Sequence, residues 1–162
     1  MAKTNTLLLT EIVEAHVARH KPGGGWHPAQ EVEVGDLIVN AGRSFIASRI
    51  AANSPDPISH MAVGTVNTAA ALANTTLTGE VARKTLAINS AITNNLYTAV
   101  CTWGGFADSV TSLQLREAGL FNASGSGAGT MLQRVTFSTV TLADSDFVSI
   151  TLKTNVGSNT IV

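Results

Sequence analysis

His16 and His20 stand four residues apart, with His27 beyond a glycine run, and are the first candidates for chemistry. On a helix, residues i and i+4 share a face, and two imidazoles placed so can hold zinc. The run His16-Val17-Ala18-Arg19-His20 lacks the glutamate that a zinc protease places after its first histidine as general base. The spacing equally fits the edge of an amphipathic helix packed on a partner, and no metal is expected. Gly23-Gly24-Gly25 has the glycines of a phosphate loop, but such a loop follows a strand and ends in Lys-Ser/Thr. Here Pro22 precedes and Trp26-His27-Pro28 follows, which reads as a flexible joint. Gly125, Gly127 and Gly129 read as a hairpin loop. Ser44 lacks the second glycine of a nucleophile elbow. Cys101 shares a face with Tyr97, Ala99 and Trp103, alternating with Thr98, Val100 and Thr102, the pattern of a buried structural thiol. Glu80 and Glu117 lie near Arg83 and Arg116, as ion pairs or turn anchors do. Trp26 and Trp103 are able to stack on a sugar or a base, but no basic patch surrounds them, so a protein contact is preferred. Neither a catalytic residue nor a cofactor is expected.

The composition fits a building block better than an enzyme. The 162 residues suffice for a single domain. One cysteine forbids an internal disulfide framework. Ten basic against eleven acidic side chains create no field for a phosphate backbone, so no nucleic-acid partner is expected. Charged residues are 13% of the chain, about half the usual share of roughly 25%. So few charges keep copies apart weakly and favour packing against protein. Leu7 to Leu9 are too short for a signal peptide core, and no run suits a spanning helix. No membrane partner is expected, and synthesis in a cytoplasm is.

Two helices and a series of strands must position these residues. Leu9, Ile12, Val13, His16, Val17 and His20 recur at helical spacing over 7–20, and the pattern stops at Lys21-Pro22-Gly23. A second, buried helix is predicted over 37–52, N-capped by Asp36, with Leu37, Ile38, Ala41, Phe45 and Ala52 on its stripe. From residue 59 the period becomes two. Leu86, Ile88 and Ile92 alternate with polar or small residues, as do Tyr97 to Trp103 and Val148, Ile150 and Leu152. Leu113 and Leu115 share a face. Val135 and Phe137 face one way and Val140 and Leu142 the other, which implies a bulge near Ser138-Thr139. The expected fold is mainly β: an antiparallel sandwich or jelly-roll-like core of about six to eight strands over 36–162, behind a helix-bearing N-terminal arm over 1–35.

One order of motifs carries more than composition. His60-Met61-Ala62-Val63-Gly64-Thr65 is followed by small residues and then Leu77-Thr78-Gly79-Glu80-Val81-Ala82-Arg83-Lys84. Arg116-Glu117-Ala118-Gly119-Leu120-Phe121-Asn122-Ala123 leads through a glycine turn to Gly129-Thr130-Met131-Leu132-Gln133-Arg134-Val135-Thr136-Phe137. Over about residues 36–162 this order resembles small structural proteins of tailed bacteriophages, of the capsid decoration or cement kind. Related units also resemble parts of tail-fibre and baseplate proteins. At the shared positions, Gly119 lets a strand bend or a large neighbour approach. Leu120 and Phe121 point to opposite faces, so at least one is a candidate for an interface. Arg83 and Arg134 are placed to pair with Glu80 or Glu117. The segment from Lys21 to Val34 has no counterpart in the pattern.

The resemblance implies a protein on the outer surface of an assembled phage head, bridging major capsid subunits. It also implies self-association as a homodimer or homotrimer. The candidate interface residues are Leu8, Leu9, Ile12, Val13, Val17, Trp26, His27, Leu120 and Phe121. The alternatives are a tail-fibre or baseplate adaptor and a carbohydrate-binding β-sandwich that uses Trp26, Trp103 and Tyr97.

Overall fold

The computed structural model describes residues 15–20, 23–32, 36–51, 55–93 and 96–155. They form ten strands and one helix: β1 (Ala15–His20), β2 (Trp26–Val32), β3 (Asp36–Ile38), α1 (Asn40–Ile50), β4 (His60–Gly64), β5 (Glu80–Thr85), β6 (Ile88–Thr93), β7 (Leu96–Gly104), β8 (Gln114–Phe121), β9 (Met131–Thr141) and β10 (Phe147–Asn155). Two five-stranded antiparallel sheets result, in the orders β2-β1-β10-β7-β6 and β3-β9-β8-β4-β5.

The sheets share one apolar core. Ala99, Cys101, Trp103, Val148, Ile150 and Leu152 of the first sheet cluster with Met61, Val63, Leu115, Ala118, Leu120 and Val135 of the second. Inside that core Gln133 accepts a hydrogen bond from the Thr154 hydroxyl, which ties β9 to β10 across the sheets. The arrangement is sandwich-like; a jelly-roll connectivity does not follow from this strand order.

Period-two segments lie where the sequence places them. Val148, Ile150 and Leu152 are buried opposite Trp103, Cys101 and Ala99. The bulge expected near Ser138-Thr139 is present. Leu115 pairs with Val140 and Glu117 with Thr136, so 137–139 together oppose Arg116. Residues 122–130 join β8 to β9 as a hairpin, with Gly127 and Gly129 at positive φ.

Both helical expectations need correction. Residues 15–20 are a strand, inserted between β2 and β10; the rest of the expected helix, 7–14, lies outside the described residues. Non-local pairing with β10 overrides the helical spacing that so short a run satisfies. Gly23, at φ +77°, sits in a hairpin turn from β1 to β2, so the flexible joint is a connection within a sheet. At the second helix, Asp36 is no cap. It begins β3, opposite Val135, and α1 starts at Asn40 with Val39 as an N-cap that makes no side-chain bond.

The helix is not buried either. Only Gly42 is, with Phe45 and Ile46 partly covered and Ile50 81% exposed. A Cβ at Gly42 would lie 2.0 Å from the Leu132 carbonyl oxygen, so the helix backbone rests directly on β9. Glycine is what permits that distance.

Candidate functional site

The side chains singled out by the motifs converge on the outer face of the second sheet, where they hold two loops. Glu117 on β8 and Arg134 on β9 form an ion pair at 2.8 Å, with both side chains fully buried. Each also grips the connection 65–79 between β4 and β5. Glu117 accepts the Gly79 amide at 2.7 Å on Oε1 and the Thr78 amide at 3.3 Å on Oε2. Arg134 donates to the Thr68 carbonyl at 2.9 Å, the Ala69 carbonyl at 3.3 Å and Asn74 Oδ1 at 3.0 Å. Asn74 Oδ1 also accepts the Ala71 amide at 2.7 Å.

Burying two charges is costly unless geometry and extra hydrogen bonds compensate. Here both groups are satisfied by one loop, through its backbone and the Asn74 side chain, so the pair works as its anchor. A Cβ at Gly64 would lie 2.5 Å from Glu117 Oε1 and 2.6 Å from the Gly79 carbonyl oxygen. The carboxylate reaches the Gly79 amide because Gly64 leaves room for it.

The anchored loop covers apolar surface. Leu77 packs with Val39, Ala62, Phe121 and Met131 in a second buried cluster. Its Cδ2 would be 3.0 Å from a Cβ at Gly119, so Gly119 does admit a large neighbour. Leu120 and Phe121 face opposite sides, as expected: Leu120 enters the core between the sheets and Phe121 the cluster beneath the loop. Both are 0% exposed, which removes them from the candidate interface. Packing between the sheets buries Leu120, and the 65–79 loop, through Leu77, covers Phe121.

A second anchor holds the 122–130 hairpin. Arg83 binds Glu80 through two bonds of 2.9 and 2.8 Å. Its remaining nitrogen donates to the Ala123 and Ala128 carbonyls at 3.1 and 2.9 Å. The guanidinium lies 3.6 Å from the Phe121 ring centroid. Within the hairpin, Asn122 Oδ1 accepts the Thr130 amide at 2.6 Å. The pairs Arg83–Glu80 and Arg134–Glu117 are thus those the motif suggests. Arg116 bonds Thr139 and Gln114 instead.

A third tie joins β5 to the turn after β7. Lys84 Nζ is 2.8 Å from both Asp108 oxygens and 5.2 Å from the Trp103 ring centroid. Asp108 also accepts the Gly104 amide at 2.7 Å.

Potentially reactive groups are tucked away. Cys101 is buried, and burial pushes its thiol up to about 11. Burial likewise raises Tyr97 to about 12. The pattern expected of a structural thiol holds. Trp103 is 1% exposed, so it offers no face to a sugar, and the carbohydrate reading loses one of its aromatics. Among the described residues no three His, Cys, Asp or Glu side chains stand together as metal ligands. No helix among them is long and apolar enough to cross a membrane.

Leu8, Leu9, Ile12 and Val13 lie outside the described residues. Val17 is placed in β1, and Trp26 and His27 in β2, paired with His20 and Arg19. Among the described residues, the exposed large apolar side chains include Ile50, Phe106 at 77%, Leu72, Val81 and Phe147 at 41%. Phe106 follows β7 in a turn whose amide bonds the Asp144 carbonyl, and Phe147 pairs opposite Gly104. The two therefore sit at the same end of the first sheet. Sequence reasoning missed them; the only sign was a phenylalanine directly after Gly104-Gly105 in a chain with 5% aromatics.

No family model, curated protein or solved structure matches this chain.

Proposed function

We propose that this chain is a virion structural protein, a decoration or cement protein that binds the outer surface of an assembled phage head and bridges major capsid subunits. The motif residues support the reading by what they do: Glu117, Arg134, Glu80 and Arg83 are all engaged in fixing loops 65–79 and 122–130. That is the use a docking protein makes of polar residues. Fixed loops lose little entropy on contact, so more of the interaction appears as affinity. Binding to the assembled shell and not to its separated parts stabilises the shell by mass action.

Phe106, Phe147 and Ile50 replace Leu120 and Phe121 as contact candidates, beside Trp26 and His27 and the apolar positions Leu8, Leu9, Ile12, Val13 and Val17. Self-association as a dimer or trimer belongs to the same reading. The test is copy number in purified particles. A head decoration follows shell symmetry and needs copies on the order of hundreds, whereas a tail-fibre or baseplate adaptor needs about a dozen. A count of about a dozen favours the tail, and absence from particles overturns both.

A further inference from the structure

Open sheets end in strands whose outward backbone groups have no ladder partner, and proteins guard such edges with charge, proline, bulges or shortness. Among the described strands, the two sheets present four edges, β2, β6, β3 and β5. Three of them are guarded. β2 contains Pro28 and Glu31, and its pairing with β1 is bulged. β3 is three residues long and begins with Asp36. β5 carries Glu80, Arg83 and Lys84, with a bulge where Val63 gives way to Gly64.

β6 differs. Its six residues, Ile88-Asn89-Ser90-Ala91-Ile92-Thr93, include no charge and no proline. The neutral stretch is longer than the strand, since no Asp, Glu, Lys or Arg occurs from Thr85 to Ala107. Among the described strands β6 pairs with β7 alone. Its one irregularity, between Ser90 and Thr93, lies toward the connection to β7.

We propose that β6 is a self-association edge: two copies of this chain pair β6 to β6 antiparallel about a two-fold axis, which joins their first sheets into one ten-stranded sheet. A two-fold axis between antiparallel copies sets a charge near the axis opposite its own copy, and like charges across a pair are destabilising. β6 is the one edge among the four with none. The chain's net charge of −1 opposes the approach of two copies only weakly. The pairing follows from strand order and composition and does not depend on the virion reading.

Two measurements on the full chain test it. The first is sedimentation equilibrium of the native chain and of the Asn89→Lys/Ser90→Lys variant, which puts a lysine on each face of the edge. The dimer dissociation constant is expected to rise at least about tenfold in the variant. A native chain that stays monomeric, or a folded variant that dimerises as before, overturns the proposal. The second needs no disruptive change: a spin label at Ser90→Cys, with Cys101→Ala to leave one thiol. Antiparallel β6 strands hold the two labels within roughly 20 Å, the length of a six-residue strand. A dimer with much larger separations places the interface elsewhere and refutes it.

Discussion

Replacing Glu117 by glutamine tests the central anchor with almost no change of shape. Oε2 of Glu117 faces three donors, Arg134 Nε and Nη2 and the Thr78 amide, while Oε1 faces the Gly79 amide. An amide side chain has one oxygen. Turned toward Gly79, it points its NH2 at the Arg134 guanidinium; turned toward Arg134, it points its NH2 at the Gly79 amide. Either orientation sets donor against donor in a site with no solvent exposure. Breaking a buried ion pair by removing one partner costs about 3–5 kcal/mol. Arg134 keeps the Thr68 and Ala69 carbonyls and Asn74, which places the cost at the lower end, about 3 kcal/mol. For a chain of 162 residues that lowers Tm by roughly 6–12 °C.

The assay is urea unfolding at constant m-value, with amide exchange read across 65–79. Thr78 and Gly79 should exchange faster in the variant. The double variant Glu117→Gln/Arg134→Met removes the stranded charge and should recover at least about 1 kcal/mol of the single-variant loss. A Glu117→Gln cost below about 1 kcal/mol, or unchanged exchange in the loop, would falsify the anchor.

Three further outcomes follow from the same geometry. Arg83→Lys keeps the charge but loses the forked contact with Glu80 and the carbonyl bonds to the hairpin; limited proteolysis should begin within 122–130, at a stability cost of about 1–2 kcal/mol. Gly42→Ala should destabilise despite alanine's better helix propensity, by about 1–3 kcal/mol in chemical denaturation, because its methyl meets the Leu132 carbonyl. Cys101 and Tyr97 have folded pKa values raised from 9.0 to about 11 and from 10.0 to about 12, so the fold holds their protons more tightly than the unfolded chain does. Their contribution to stability is fully present below about pH 9 and declines as pH climbs through 9–12, and Cys101→Ala should flatten the early part of that decline in a pH series of unfolding midpoints.

Much of the β framework was legible because alternation is a local property. Val148, Ile150 and Leu152 announce their strand in six residues, and the turn glycines 125–129 announce the hairpin. That Arg83 and Arg134 pair with Glu80 and Glu117 was legible from the few charges in the motifs, but which arginine takes which glutamate is fixed only by the strand pairing. The failures share a non-local cause. Residues 15–20 satisfy helical spacing, and pairing with β10, more than 120 residues later, overrides it. Leu120 and Phe121 looked available because an isolated hairpin exposes one face. The 65–79 loop that covers Phe121 consists largely of small residues without periodicity, and the buried carboxylate that fastens it lies on β8. Phe106 carries no pattern at all; its exposure follows from the turn that Asp108 and Asp144 hold in place.

The most direct test of the whole account is reconstitution. Heads assembled from the major capsid protein of the same genome, without this chain, are mixed with the purified full-length protein and pelleted. A decoration protein binds saturably at a fixed ratio to capsid subunits and raises the temperature of head disruption. Heads that pellet free of the chain at every concentration, and melt unchanged, contradict that role.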